Sequence, residues 1–214
     1  FALYNNGVNR FEGTLKNGVI NGLFTEFYEN GQKKKEGKYI NEKKDGLFTY
    51  WNELGQKDYE MTYNHKIEPI NYDSLSLNNG LYYTKDTNQP YSGNTFALHD
   101  NGAIKGEGTL KDGKYIGQHI VFHKDGKKNV KYTFKDGEQN NFLYTVWYKN
   151  GQKKEEKTYK DGELDGLFTA WHKSGAKQRE GMWKYGKEDG KWTYWDKNGQ
   201  KTGEMTYKDG KIVW

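Results

Sequence analysis

The 214-residue chain has no cysteine, which excludes disulfides, a thiol nucleophile and thiolate metal ligands. It has two prolines, and no apolar run approaches the roughly 18 residues of a membrane-spanning helix. Only 33% of the residues are hydrophobic, so an aliphatic-rich α/β enzyme core is excluded. The net charge of +5 comes from 34 basic and 29 acidic residues that are mixed along the chain, and this mixture disfavours a nucleic-acid binder.

Aromatic residues and glycine are abundant instead. Phe, Trp and Tyr make up 16% of the chain, and 27 residues are glycine. Disordered chains are poor in aromatics, so the rings indicate a folded protein whose buried surface is aromatic rather than aliphatic. Many glycines with few prolines predict many turns between β-strands.

A 24-residue repeat organises most of the chain. A turn glycine recurs with spacings of 24, 47, 24, 25, 24 and 24 residues, at Gly31, Gly55, Gly102, Gly126, Gly151, Gly175 and Gly199. We place this glycine at position +9, so that the first to seventh repeats begin at Gly22, Gly46, Gly93, Gly117, Phe142, Gly166 and Gly190. The chain opens with the back half of an earlier repeat, and its first residue is Phe1, which predicts a processed form.

Several positions of the repeat keep one type of residue. Position +3 is often Thr, +14 is mostly Glu, and +2 and +17 are mostly aromatic. An aromatic residue or Leu stands at +5 and mostly Lys at +11. The main departures are Phe142 at position 0 and Lys131 at position +14.

Asn-Gly at +8 and +9 predicts a β-hairpin closed by a two-residue type I′ turn. The arithmetic of that turn pairs +3 with +14, +2 with +15, and position 0 with +17, where the ring can cover a glycine. Alternation places aromatic and polar residues on both faces of each hairpin. The predicted fold is therefore all-β, an elongated single-layer antiparallel ribbon of about eight to nine β-hairpin repeats of 24 residues.

The rhythm breaks between the second and third repeats. The predicted organisation is a first repeat block over 1–67, an irregular insertion with a degenerate repeat over 68–92, and a second block over 93–214. The insertion contains both prolines, Pro69 and Pro90. It is either a plain inserted loop or a hinge or binding loop.

Segments such as Asp45–Trp51 and Asp189–Trp195, each leading to a turn glycine, resemble MORN repeats in the bacterial variant form that is catalogued with an antitoxin-like family. The resemblance implies an extended β-hairpin scaffold used for protein contacts, self-association or binding of anionic lipid headgroups. In multidomain relatives a separate domain does the chemistry. As a further alternative function, the resemblance implies antitoxin-like neutralisation of a partner protein, which would place the chain in the cytoplasm.

The residues themselves predict no catalytic, metal or cofactor site. His119 and His123 would lie about 13 Å apart along a strand, too far to share one ion. His99, His123 and His172 share position +6, which favours solvated rings beside the turn. Ser174 occupies the Asn position of a turn, and no oxyanion site accompanies it.

Two rows of side chains remain as candidate binding sites. The +5 aromatics predict a protein interface, although carbohydrate could stack on the same rings. The partner-binding candidates are Phe27, Trp51, Phe122, Trp147, Trp171 and Trp195. The +11 lysines are either a solvated face or, as an alternative function, an anionic membrane-binding row made of Lys33, Lys57, Lys128, Lys153, Lys177 and Lys201.

The prediction is thus a non-enzymatic scaffold without a cofactor that binds another macromolecule along its ribbon face. We expect a protein partner, with anionic lipid and self-association as further options and nucleic acid disfavoured. A secreted or cell-surface location in a bacterium is the favoured expectation, with a cytoplasmic one as the alternative.

Overall fold

The computed structural model describes residues 2–135, 138 and 140–213. Apart from one three-residue 3₁₀ turn, these residues form strands and their connections, and successive strands pair antiparallel. The prediction of an all-β fold of β-hairpins is confirmed. The chain divides into two compact units, Phe1–Ile70 and Asn71–Trp214.

The first unit is a six-stranded sheet in which the strands follow one another in chain order. Its strands are β1 (Ala2–Leu3), β2 (Asn9–Lys16), β3 (Val19–Phe27), β4 (Lys33–Ile40), β5 (Lys43–Trp51) and β6 (Lys57–Tyr63). The first and second repeats supply β3 to β6.

The second unit begins at Asn71, within the short strand β7 (Ile70–Asn71). The 3₁₀ turn Tyr72–Ser74 follows this strand. A small hairpin comes next, made of β8 (Leu75–Asn78) and β9 (Leu81–Thr84). The strands of the main sheet are β10 (Gly93–Leu98), β11 (Ile104–Lys111), β12 (Lys114–Phe122), β13 (Lys128–Phe134), β14 (Phe142–Trp147), β15 (Lys153–Lys160), β16 (Glu163–Trp171), β17 (Lys177–Lys184), β18 (Lys187–Trp195), β19 (Lys201–Lys208) and β20 (Lys211–Val213).

The main sheet keeps chain order from β10 to β20, with β7 beside β10. Among the described strands, extensive contacts join only sheet neighbours, as expected for a single layer in each unit. Among the described residues, no helix is long and apolar enough to cross a bilayer.

The turn inside each repeat differs from the predicted type. In the first repeat the Tyr28 N–H donates to the Gln32 carbonyl at 2.8 Å, and the Gly31 N–H donates to the Tyr28 carbonyl at 2.9 Å. Gly31 has a φ of +82°, but Asn30 is not left-handed. The loop therefore has three residues with a left-handed glycine last, and the type I′ prediction at +8 and +9 is wrong.

Type I′ geometry occurs at the other turn, between repeats. Asp161 and Gly162 both have positive φ, +52° and +85°, and the flanking residues Lys160 and Glu163 pair directly. Asn-Gly and Asp-Gly tolerate this conformation best, which explains why such pairs recur at +19 and +20.

The predicted cross-strand pairs are nevertheless confirmed. Thr25 faces Glu36, and Gly22 faces Tyr39. They agree because the register shifts by one residue between +4 and +5, which compensates for the longer loop.

The ring at +17, however, does not cover the glycine at position 0. Gly46 and Gly190 have φ values of +73° and +69°, and no atom lies within 4 Å of the place where a Cβ would stand. This glycine is needed for its left-handed backbone. In the fifth repeat Phe142 replaces it, and β13 pairs with β14 without any register shift.

The rings at +2 and +17 form a ladder along each sheet. In the first unit the ring centroids of Phe24, Tyr39, Phe48 and Tyr63 are 5.2–5.3 Å apart in succession. The second unit has a ladder of the same kind, made of Phe168, Trp183, Trp192 and Tyr207. Such pairs contribute about 0.5–1.5 kcal/mol each beyond the burial of their area.

Each +2 ring lies over the +15 glycine of the preceding repeat where one is present. A Cβ on Gly37 would stand 2.5 Å from the ring of Phe48, and a Cβ on Gly181 would stand 2.2 Å from that of Trp192. Phe48 and Trp192 are fully buried. A single layer of hairpins thus obtains its core from rings packed on bare backbone.

Candidate functional site

The +5 and +11 rows both lie beside the loops within the repeats. Position +5 ends one strand of a hairpin and position +11 begins the next, so the two pair across the loop, as Trp171 does with Lys177. In the first unit the rows contain Phe27, Trp51, Lys33 and Lys57. In the second unit they contain Phe122, Trp147, Trp171, Trp195, Lys128, Lys153, Lys177 and Lys201.

Within each unit the two rows form one surface, which we call the Trp–Lys strip of that unit. The ammonium of Lys33 lies 5.6 Å from the ring centroid of Trp51 in the next repeat. Lys153 lies 5.4 Å from that of Trp171, and Lys177 lies 5.6 Å from that of Trp195. A contact of this kind contributes about 0.5–1 kcal/mol at an exposed site. Sequence reasoning treated the rows as alternatives because it considered each repeat alone.

A carboxylate holds most of these lysines in place. In the first repeat Lys33 Nζ lies 2.6 Å from Glu36 Oε2, which also accepts the Thr25 hydroxyl at 3.1 Å. The lysines that pair with the +14 glutamate in this way are Lys33, Lys57, Lys153, Lys177 and Lys201. Five of the six lysines of the strip are therefore each matched by a carboxylate.

These hydrogen bonds lower the pKa of Glu36, Glu60, Glu180 and Glu204. The pKa of Glu36 lies below its ordinary value chiefly because of the hydrogen bond from Lys33, and the pKa of Glu180 is lowered in the same way by Lys177. Lys191, with Lys201 beside it, lowers the pKa of Glu204 to about 2. The carboxylates therefore stay ionised at neutral pH.

The fourth repeat departs from this arrangement. Lys131 stands at +14 in place of Glu, and both Lys128 and Lys131 lie over the ring of Trp147, at 4.0 and 5.8 Å from its centroid. Trp147 is only 8% exposed, whereas Trp51, Trp171 and Trp195 are half-buried. The strip is therefore most cationic beside Trp147, and the ring of Trp147 is the most covered of its tryptophans.

Phe27 and Phe122 are also half-buried, and Lys128 is less exposed than the other lysines of its row. The row of rings therefore presents partial faces and edges to solvent rather than whole rings.

Side chains at +6 connect each loop to the next repeat, a feature that sequence reasoning missed. Tyr28 Oη donates to the Trp51 carbonyl at 2.9 Å, and Tyr148 Oη donates to the Trp171 carbonyl at 3.0 Å. His99 and His172 use Nε2 in the same way, 3.0 Å from the carbonyls of Phe122 and Trp195. The prediction that these two histidines are solvated rings is wrong, because both are half-buried bridges.

Side chains at +8 form a second set of bridges. Asn30 Nδ2 donates to the Glu53 carbonyl at 2.7 Å, and Asn150 Nδ2 donates to the Lys173 carbonyl at 2.9 Å. Ser174 takes the same position and donates its hydroxyl to the Lys197 carbonyl at 2.9 Å. The sequence signal was the recurrence of Tyr or His at +6 and of Asn at +8 with the period of the repeat.

His119 takes the +2 position of the aromatic ladder. Its ring stacks on Tyr115 with centroids 4.5 Å apart, and burial lowers its pKa to about 4. Within the described part of the chain, no three His, Asp or Glu side chains are grouped closely enough to hold a metal ion.

Repeated hairpins, a shared aromatic core and loops joined from one repeat to the next define a β-hairpin repeat protein. The family model described as the MORN repeat variant matches residues 20–41, 143–161 and 188–209. In these three segments the chain is similar to MORN repeats of the variant type. No curated protein matches the chain in sequence. MORN repeats form a non-enzymatic family of repeat modules that often bind proteins or membranes.

Proposed function

We propose that this chain is a non-catalytic scaffold that binds a partner protein along the Trp–Lys strip. The observation that carries the proposal is the regular alternation of half-buried tryptophans with lysines held by carboxylates. A few buried or half-buried side chains, most often Trp, Tyr and Arg, dominate the binding energy of protein interfaces.

The strip is also preorganised. Lys177 contacts both Glu180 and the ring of Trp195, so it has already lost much of its rotamer freedom before a partner arrives. Ordering a long side chain at an interface costs about 0.5–1.5 kcal/mol, and a lysine that is already held avoids part of that cost.

Charge balance supports a protein partner over an anionic membrane. Attraction to anionic lipid needs an excess of cations, at about 1 kcal/mol for each lysine near the surface. Five lysines of the strip are each paired with a glutamate, which removes most of that excess.

The test is cross-linked capture from native cells with the full chain, followed by identification of the partner and a binding measurement with the purified partner. Trp171→Ala and Trp195→Ala should each weaken binding by about fivefold or more, because interface tryptophans cost more than about 1 kcal/mol when truncated. The matched control is Tyr185→Asn, which removes an aromatic ring that is 71% exposed at a turn between repeats. Asn tolerates the left-handed φ of +49° at that position.

Binding that follows only the folded fraction of each variant, measured by circular dichroism, would contradict the proposal. Capture of lipid with no protein above background, together with salt-sensitive binding to anionic vesicles, would replace it with the membrane alternative.

A further inference from the structure

A cavity of about 240 Å³ lies in the second unit, between the 3₁₀ turn and strands β10 to β12. Thr95, Ala97 and Gly106 line it from two strands of the sheet, and Tyr72 and Asp73 line it from the turn. It is separate from the Trp–Lys strip, since none of its lining residues occupies position +5 or +11.

The cavity exists because the aromatic ladder lacks one ring at this point. Position +2 is a ring in every other repeat, at Phe24, Phe48, His119, Tyr144, Phe168 and Trp192, but in the third repeat it is Thr95. The neighbouring positions +4 and +13 of this repeat are also small, Ala97 and Gly106. Thr95 is only 3% exposed and lies at the base of the space, whereas Asp73 and Lys105 at its rim are exposed, so the cavity opens to solvent on that side.

Aromatic rings form the walls of the cavity, both on the side of the sheet and on the side of the 3₁₀ turn. His119 stacks on Tyr115 with an interplanar angle of 11°, and Tyr72 lies parallel to Tyr115 at 7° with centroids 6.3 Å apart. His119 makes these ring contacts without a hydrogen bond to any described residue, so its neutral ring keeps one donor and one acceptor for a ligand.

Charged groups also line the cavity, with two carboxylates and one ammonium, at Asp73, Glu107 and Lys105. The backbone of Asp73 is fixed, because its N–H donates to Asn71 Oδ1 at 2.9 Å and its carbonyl accepts from Lys85 Nζ at 2.7 Å. Across the described residues its carboxylate takes part in no ion pair. A carboxylate on a fixed backbone beside aromatic rings favours a ligand whose apolar ring packs on those rings and whose positive charge lies near the carboxylate.

We propose that this cavity binds a small planar aromatic molecule that bears an ammonium group. The ring of the ligand takes the place of the missing +2 ring beside His119, and its ammonium lies beside Asp73. The volume is adequate, since an apolar cavity of about 150 Å³ in another protein takes up benzene.

The experiment uses tryptamine as the probe and the full chain, with binding measured by calorimetry and by chemical-shift changes in two-dimensional NMR. Tryptamine should bind with a Kd below about 1 mM, the range open to a ligand of about a dozen heavy atoms. Indole-3-acetate, which has the same ring and the opposite charge, should bind at least about threefold more weakly. Equal affinity for the two compounds, or no binding of tryptamine, would overturn the proposal.

Two kinds of variant test the placement of the ligand. Thr95→Phe restores the missing ring and should abolish binding, and Ala97→Leu fills the same space if the first variant does not fold. Asp73→Asn should weaken tryptamine binding about threefold to fivefold, the range of an exposed ion pair. The matched control Asp86→Asn changes the same charge in the same segment outside the cavity lining and should bind as the parent chain does. Unchanged binding by a folded cavity-filling variant, or equal effects of the two Asp variants, would overturn the proposal.

Discussion

Replacing Gly181 by alanine should destabilise the second unit by overfilling its aromatic ladder. The added Cβ would stand 2.2 Å from Cδ2 and 2.4 Å from Cε2 of Trp192, whereas ordinary contacts begin near 3.4 Å. The ring must therefore move by about 1 Å. Trp192 is fully buried, with neighbouring ring centroids at 5.7 Å (Phe168), 5.9 Å (Trp183) and 6.2 Å (Tyr207), so it has little room to do so.

The expected loss is about 1–3 kcal/mol in the free energy of unfolding, the usual cost of overpacking. For a unit of this size the melting temperature should fall by about 3–10 °C. Trp183 and Trp192 report on the ladder directly, so thermal and urea unfolding followed by tryptophan fluorescence is a suitable assay.

The control is Gly203→Ala in the last repeat. Gly203 is not left-handed, and no atom lies within 4 Å of its Cβ position. Both substitutions remove the same flexibility from the unfolded chain, so their difference isolates the contact with Trp192. Equal unfolding midpoints for the two variants would refute a core built from rings packed directly on glycine backbone. Gly37→Ala repeats the test in the first unit, where a Cβ would stand 2.5 Å from the ring of Phe48.

Three further predictions concern the strip, the loops and the glycine at position 0. Because Lys177 lowers the pKa of Glu180 below the ordinary 4.5, the stability from this pair is complete above that value and is lost as the pH falls through the lower pKa of the folded state. The melting temperature of Glu180→Gln should therefore fall less between pH 5 and pH 3 than that of the parent chain, and an equal fall would contradict the pairing. Asn150→Ala removes a bridge to the next loop and should cost about 0.5–1.5 kcal/mol in urea unfolding. Asn198→Ala, whose side chain bridges to no described residue, serves as its control, and equal losses would argue against the bridges. Gly190→Ala should cost about 1 kcal/mol relative to Gly203→Ala because its φ is +69°, and equal stability of the two would show that position 0 needs no glycine.

The hairpin register could be predicted although the turn type was wrong, and the reason is physical. Thr25 faces Glu36 in either case, because a three-residue loop followed by one bulged residue shifts the pairing as a two-residue loop would. Asn-Gly is compatible with both turns, so composition alone did not distinguish them. Both turn types need a left-handed glycine at +9, so the positive φ at this position was predicted correctly.

Contacts between repeats were beyond the reach of reasoning on one hairpin. The bond from Tyr28 Oη to the Trp51 carbonyl, like the position of Lys33 over Trp51, depends on how far one hairpin lies from the next. That distance follows from the packing of the ladder and not from any single repeat. The cavity was missed for a different reason, because the turn at Tyr72 and Asp73 belongs to a segment without periodicity.

The hydrogen bonds at +6 and +8 make the array of repeats polar, because they all run from one repeat to the next one along the chain. Each loop sends side-chain donors such as Asn150 forward and receives them on backbone carbonyls such as that of Lys173. An array divided between two repeats would therefore expose unlike ends, with donors on one and acceptors on the other. Two complementary fragments should therefore reassociate only in the native order, with the donor end of one against the acceptor end of the other. A transplanted repeat should stabilise its new neighbours only when it is inserted in the native orientation.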